Sequence, residues 1–152
     1  MKKEDSKNII IFGIGNSGRQ DDGLGWLFLN FLEEQNTNID LEYRYQLQIE
    51  DAELISNYDK VIFVDASKEE IKEGYYLNTC YPSEKYSFST HALEPETILY
   101  LSNKLYNHIP EASVFGIQGY DWELNIGLSE KGSLNLDKAI KFFKDNVLID
   151  YL

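Results

Sequence analysis

The sequence is poor in cysteine and in basic residues, and it contains no long apolar run. Only Cys80 among the 152 residues is a cysteine, which excludes an intramolecular disulfide and a cysteine-based zinc knuckle. The 14 Lys and Arg residues against 26 Asp and Glu give a net charge of -12, which argues against nucleic acid and anionic membranes as partners. The apolar stretch after the charged residues at 1–5 is too short for a signal peptide or a spanning helix. We therefore predict a cytoplasmic protein.

The apolar residues that are present follow the spacing of an α/β domain. The length, the apolar content of 43% and the absence of repeats and linkers predict one domain over residues 1–152. Short apolar runs predict buried strands over 9–12, 61–64 and 114–117, and strict alternation over 39–49 predicts an edge strand. Apolar stripes predict helices over 24–32, 98–109 and 136–147, with a shorter helix over 52–58. The fold class is three-layer α/β/α, with a twisted, mainly parallel sheet of about five strands.

The strand order can also be predicted. If the second strand lies at an edge, the simplest arrangement places the first strand between the second and the third. Ligands of open α/β sheets bind outside the carboxyl ends of the strands, where the chain reverses direction across the sheet. We therefore expect the residues that follow Phe12 and Val64 to face each other across one cleft.

A glycine-rich turn follows the first strand and ends in two carboxylates. Gly13, Gly15 and Gly18 match the G-x-G-x-x-G pattern of a dinucleotide fold. Asp21 and Asp22, however, place negative charge where a pyrophosphate would bind. The turn therefore suits a cation better than an anion, and a nucleotide-binding domain is kept as an alternative.

Two further polar residues lie where this cleft is expected. Asp65 ends the run 61–64 and is either a loop cap or a site residue. His91 precedes the third amphipathic helix and reaches the same side of the sheet if the preceding strand is parallel; its alternative is a hydrogen-bonded structural role. Together Asp22, Asp65 and His91 offer two oxygens and one imidazole nitrogen. This set suits a divalent first-row metal with open positions for water or substrate.

The other reactive side chains favour structural roles. His108, near the end of the third helix, is predicted to be structural, and Cys80 has no basic neighbour and is predicted to fill the core. The turn at Ser17 is not a nucleophile elbow, and the sequence contains neither a Walker motif nor H-E-x-x-H.

These segments, taken in order, resemble the [NiFe]-hydrogenase maturation endopeptidases, nickel-dependent proteases that trim the hydrogenase large subunit. The matching stretches are Gly13-Ile14-Gly15-Asn16, Asp21-Asp22-Gly23, Val64-Asp65-Ala66, Ser89-Thr90-His91-Ala92-Leu93, Gly116-Ile117-Gln118-Gly119 and Gly127-Leu128-Ser129. The segment 45–52 departs from the glycine- and threonine-rich turn of many members and looks like the branch serving soluble, NAD-linked hydrogenases. It is also compatible with a relative that acts on another substrate. Gln46, Gln48 and Glu50 are candidates for substrate contact, although Glu50 and Asp51 could simply start the short helix.

The resemblance implies an activity, a metal and a partner. In the family the residues corresponding to Asp22, Asp65 and His91 bind the metal, so these three are the expected catalytic and metal-binding residues of an aspartic-type endopeptidase-like hydrolase. The expected metal is nickel, held by the protein or brought by the substrate, with zinc or cadmium as substitutes. The expected partner is a hydrogenase large-subunit precursor, which loses its C-terminal extension after nickel insertion. A non-catalytic metal-sensing or chaperone module on the same fold is the principal alternative.

Overall fold

A mixed sheet between two layers of helices forms the part of the chain that the computed structural model describes, residues 8–84 and 93–151. The strands are β1 (Ile9–Ile14), β2 (Asp40–Arg44), β3 (Lys60–Ser67), β4 (Tyr75–Thr79) and β5 (Glu111–Gln118). The helices are α1 (Leu24–Glu33), α2 (Glu50–Ile55), α3 (Pro95–Tyr106) and α4 (Glu130–Asn146), with short 3-10 turns at Gln20–Gly23 and Leu148–Tyr151. No helix in the described ranges is long and apolar enough to cross a membrane.

The strand order is β2-β1-β3-β5-β4. β1, β2, β3 and β5 are mutually parallel where they pair, and β4 is antiparallel to β5. The predicted fold class, the edge position of β2 and the place of β1 between β2 and β3 are therefore confirmed. β4 was not predicted, because its residues are only half-buried or exposed and form no continuous apolar run.

The core divides into two faces because successive residues of a strand point to opposite sides of the sheet. Ile9 and Ile11 of β1 pack in one cluster with residues of α1 and α4, whereas Ile10 and Phe12 pack in the other with residues of α2 and α3. Phe28 of α1 anchors the first cluster and lies 5.0 Å from the ring of Phe143 in α4. The apolar runs of β1 and β3 are thus continuous because both faces of these strands are covered.

Local sequence signals explain where the longer helices begin and end. Pro95 occupies the first turn of α3, where a missing N–H costs nothing, and Asn107 ends that helix in the left-handed conformation, with φ of 57°. Ser129 caps α4, because its side-chain oxygen accepts a hydrogen bond of 3.0 Å from the N–H of Gly132.

Two predicted elements end earlier than their apolar patterns. The predicted edge strand over 39–49 ends at Arg44; beyond it Leu47 forms an isolated bridge to Leu93. The alternation of apolar and polar residues continues past the strand, but the apolar residues Tyr45 and Ile49 in that continuation are exposed. The predicted helix over 98–109 ends at Tyr106. The two apolar residues at its far end are exposed and do not join the core: Leu105 and Ile109.

Candidate active site

The turn after β1 is shaped to hold the carboxylate of Asp22. Gly15 leaves the strand with φ of +142°, and its N–H donates to the carbonyl of Arg44 over 2.9 Å. A side chain at Gly15 would collide with the carbonyl oxygen of Asp22, so this approach requires glycine. The N–H of Asn16 then donates to the Asp22 carboxylate over 3.0 Å. The glycine pattern therefore positions a carboxylate at the carboxyl edge of the sheet.

Asp65 lies on the neighbouring strand. It belongs to β3, where it pairs with Ile14 of β1 and Gly116 of β5, so the strand continues past the predicted end at Val64. Burial raises the pKa of Asp65 to about 7, and the negative charges of Asp22 and Glu94 contribute to that rise. The structure therefore brings Asp22 and Asp65 together, as the predicted strand order required.

Burial also raises the pKa of Asp22. The hydrogen bond from Asn16 and the positive charges of Arg19 and Lys68 offset only part of that effect. Burial disfavours the ionised form of both carboxylates, and the charge of Asp22 further disfavours that of Asp65, so a cation would stabilise this site. The donor set thus fits a hard or borderline divalent metal and opposes a phosphate.

A cleft of about 170 Å³ opens beside Asp65. Its walls include Tyr76 from β4 and Glu94 from the turn before α3, together with Ser67 and Glu96. Sequence reasoning missed Tyr76 and Glu94. Glu94 carried one signal, an acidic residue directly before the proline that starts a helix, whereas Tyr76 carried none because β4 itself was not predicted.

Asp21 has a different role from its neighbour. It is fully buried, and its carboxylate accepts hydrogen bonds from the backbone N–H groups of Tyr120 (2.6 Å), Asp121 (3.1 Å) and Ser129 (2.7 Å) and from the Ser129 hydroxyl (2.6 Å). Asp21 therefore differs from Asp22, the one aspartate of this turn that was predicted to bind a metal. Its charge is satisfied within the fold, and Asp22 alone of the two lies beside Asp65.

His91 lies outside the described residues. The strand before it, β4, runs antiparallel to β5, so the parallel-strand condition that would have placed His91 is not met. The chain nevertheless returns to the carboxyl edge by the start of α3, because Glu94 and Pro95 line the same cleft as Asp65. Within residues 8–84 and 93–151, no group of three His, Cys, Asp or Glu side chains is arranged to hold a metal ion. The structure therefore assembles the Asp22–Asp65 pair, and the role of His91 stays a prediction.

The remaining candidates take structural positions. The His108 ring nitrogen Nε2 lies 2.6 Å from the carbonyl of Tyr58, which ties the end of α3 to the end of α2. Cys80 is buried, and burial raises the pKa of its thiol to about 12, so it is inert packing as predicted. Asp51 is buried in a 3.0 Å ion pair with Arg44. Gln46, Gln48 and Glu50 are exposed, and their contact with substrate stays a prediction.

The raised pKa of Asp65 predicts a pH-dependent stability. Between its ordinary value of 3.8 and about 7, the unfolded chain releases this proton while the folded protein keeps it, so stability falls as pH rises through this window. In metal-free buffer, we expect Asp65→Asn to be more stable than wild type at pH 8 by about 1 to 3 kcal/mol, with little difference at pH 4.5. Urea denaturation at both pH values measures this difference.

The matched control is Asp137→Asn, which removes an exposed carboxylate from α4. It should leave the difference between the two pH values as it is in wild type. If the free energy of unfolding had the same pH dependence in wild type and in Asp65→Asn, Asp65 would ionise normally in the folded protein.

The fold and the cleft define an α/β protein with an acidic site suited to a cation rather than to a phosphate. Comparison with known proteins identifies the family within this class. The chain is 30% identical, over 93% of its length, to a Methanocaldococcus jannaschii protein named "Putative hydrogenase maturation protease", and covers 95% of that protein. No family model matches the sequence.

Solved structures of hydrogenase maturation proteases have the same fold. The hydrogenase maturating endopeptidase HybD from E. coli superposes with a TM-score of 0.73 at 19% identity, covering 94% of this chain and 93% of that one. The [NiFe] hydrogenase maturation protease HycI from Thermococcus kodakarensis superposes with a TM-score of 0.70 at 21% identity, covering 93% of each chain.

The chain therefore belongs to the hydrogenase maturation protease family, and its enzyme class is peptidase. The predicted family and enzyme class are confirmed by the sequence match, and the predicted fold class by the structural matches.

Proposed function

We propose that this protein is an endopeptidase that removes the C-terminal extension of a [NiFe]-hydrogenase large-subunit precursor after nickel insertion. The observation that carries the proposal is the half-buried pair Asp22–Asp65 at the carboxyl edge of the central parallel strands, in a chain of this family. Ligands of open α/β sheets bind at this edge. The substrate is a protein tail, so the cleft beside Asp65 has to accept only the few residues around the cleaved bond.

We propose further that Asp22, Asp65 and His91 bind nickel that arrives within the precursor, and that zinc or cadmium can replace it. The two carboxylates fit such an ion, because each is held where burial disfavours its ionised form. A metal at this position supplies Lewis acidity, either to the scissile carbonyl or to a water molecule.

The side chains of this protein have their own tasks in that reaction. In the absence of a cation, the Asp65 carboxyl holds its proton close to neutral pH, so engagement of a metal-loaded substrate includes release of that proton. The Asp22 carboxylate is held by the hydrogen bond that it accepts from the Asn16 N–H. Both groups act from rigid elements, and this preorganises the site before the substrate binds.

Three narrower assignments belong to the same proposal. We propose that the substrate is one of the soluble, NAD-linked hydrogenases, on the basis of the segment 45–52, that the location is the cytoplasm, and that neither nucleic acid nor a membrane is a partner. The acidic composition supports the last of these, since the chain carries a net charge of -12.

The direct test is processing of a nickel-loaded large-subunit precursor encoded in the same genome. We expect mass spectrometry to show loss of a C-terminal peptide after incubation with the purified protein. A precursor lacking nickel should stay intact under the same conditions. Nickel-dependent binding of the precursor without cleavage would instead assign the chain to a metal-sensing or chaperone module.

A further inference from the structure

The loop that joins β5 to α4, residues 119–128, presents large apolar side chains to solvent. Leu124 is 75% exposed and Ile126 is 87% exposed, and they flank Asn125 in the chain. Single exposed apolar residues are common on proteins, but two such residues at alternate positions of one loop form a patch. We call these ten residues the apolar loop.

The apolar loop is fixed to the turn that carries Asp22. Near the start of the loop, the N–H groups of Tyr120 and Asp121 donate to the Asp21 carboxylate. Just after its end, the N–H and the hydroxyl of Ser129 donate to the same carboxylate. The backbone of Asp21 adds a further bond, donated to the carbonyl of Asp121 over 3.0 Å. A Cβ at Gly119 would lie 2.6 Å from the Cβ of Asp21, so the close approach needs glycine there.

The middle of the loop is fixed as well. The N–H of Gln20 donates to the carbonyl of Asn125 over 2.9 Å, and the Gln20 side chain accepts from the N–H of Glu123 over 3.0 Å. Arg19 and Asn125 form a parallel bridge. Leu124 and Ile126 are therefore exposed beside backbone groups that bond to Arg19 and Gln20, and these two residues lie three and two positions before Asp22 in the chain.

A second contact ties the loop to β3. The ammonium group of Lys68, directly after that strand, lies 5.1 Å from the centre of the Trp122 ring. The apolar loop thus touches both chain segments that supply the candidate carboxylates. An exposed apolar patch held in this way has little conformational entropy to lose on binding, which favours its use as a docking surface.

The charges around the patch indicate what kind of surface it meets. Asp121 and Glu123 are exposed within the loop, and no Lys or Arg occurs over 119–129. The two lysines that reach the loop from outside, Lys68 and Lys131, lie over the Trp122 and Tyr120 rings. A second copy of this chain would bring the same acidic border and a net charge of -12 against it. A partner with an apolar centre and basic side chains around it is complementary.

We propose that the apolar loop docks the folded body of the hydrogenase precursor, through an apolar patch of the precursor bordered by basic residues, and so presents its tail to the Asp22–Asp65 cleft. This inference rests on the proposed function. It assigns precursor recognition to a surface outside the cleft. Affinity for the precursor and the rate of peptide cleavage therefore depend on different residues.

The test compares two double variants that remove the same residue types. Leu124→Ser/Ile126→Ser changes the apolar loop. Leu105→Ser/Ile109→Ser changes two residues that are 55% and 43% exposed. They lie at and just after the end of α3, next to the amino end of β5 and so at the opposite edge of the sheet from the cleft. We expect the loop variant to raise KM for the nickel-loaded precursor about tenfold or more with kcat near wild type, and the control variant to change neither. Melting temperatures of both should match wild type.

Each other result has a definite meaning. Equal KM values for the two variants would overturn the docking proposal while leaving the proposed function in place. A wild-type dimer that Leu124→Ser/Ile126→Ser converts to a monomer in sedimentation would assign the loop to self-association instead. If wild type cleaves nothing, the proposed function fails; precursor binding weakened by the loop variant alone, measured by biolayer interferometry, would still support docking.

Discussion

We expect Asp21→Ala to lower the free energy of unfolding by about 3 to 5 kcal/mol, the largest loss among single changes near the site. The substitution leaves three part-buried backbone N–H groups and the Ser129 hydroxyl without their acceptor. Burial alone would raise the pKa of Asp21, but the hydrogen bonds from Ser129, Tyr120 and Asp121 outweigh it and lower the pKa below 3.8. The stabilisation is therefore present at neutral pH and is lost only as pH falls below that value.

Urea denaturation at pH 7 measures the effect, with Ser129→Ala as a milder companion. That variant loses one hydrogen bond to Asp21 and the side-chain cap of α4, and we expect a loss of about 1 to 2 kcal/mol. The neighbouring change Asp22→Asn is the matched control, because it removes a carboxylate from the same turn without uncovering buried donors. Wild-type stability in both Asp21→Ala and Ser129→Ala would contradict an anchoring role for this network.

The second large effect is on activity. We expect Asp22→Asn to reduce precursor processing by at least about 100-fold, since the loss of outer groups that merely orient a metal ligand already costs 10- to 100-fold. The fold should be preserved, because the ionised form of Asp22 is disfavoured by burial and an amide removes that cost. The measurement is a processing time course with the nickel-loaded precursor, alongside urea denaturation.

His91→Ala should have the same effect on processing, and calorimetric titration supplies an independent readout. One-site binding of nickel or zinc to the metal-free wild type should be lost in both variants. Asp137→Asn, which removes an exposed carboxylate, should keep both processing and binding. Processing that survives both Asp22→Asn and His91→Ala would overturn the assignment of this cleft as the active site.

The strands and the juxtaposition of Asp22 with Asp65 could be predicted because they depend on local patterns. β1 and β3 are buried on both faces and read as continuous apolar runs, while alternation marked β2 as an edge strand. Those two facts determine which strand ends are neighbours. β4 escaped prediction because a partly exposed edge strand of five residues has no continuous apolar run. The helix over 98–109 was predicted to end too late because spacing alone does not show where packing stops.

The division of labour between Asp21 and Asp22 could not be predicted. The two residues are identical and adjacent, and what separates them is a set of donors about 100 residues further along the chain. Nothing in the local sequence of 119–129 marks its N–H groups as partners of a distant carboxylate. A motif therefore located the turn, while the role of each aspartate depended on tertiary structure.

The link between Asp21 and Ser129 spans 108 positions, and it bears on how the protein is made. Contacts between distant parts of a chain form late, because the intervening segment has to be ordered first. During synthesis, the segment that clamps Asp21 leaves the ribosome about 100 residues after Asp21 itself. The turn that carries Asp22 therefore stays unclamped until residues 120–129 have emerged, so the candidate site is completed only after that point.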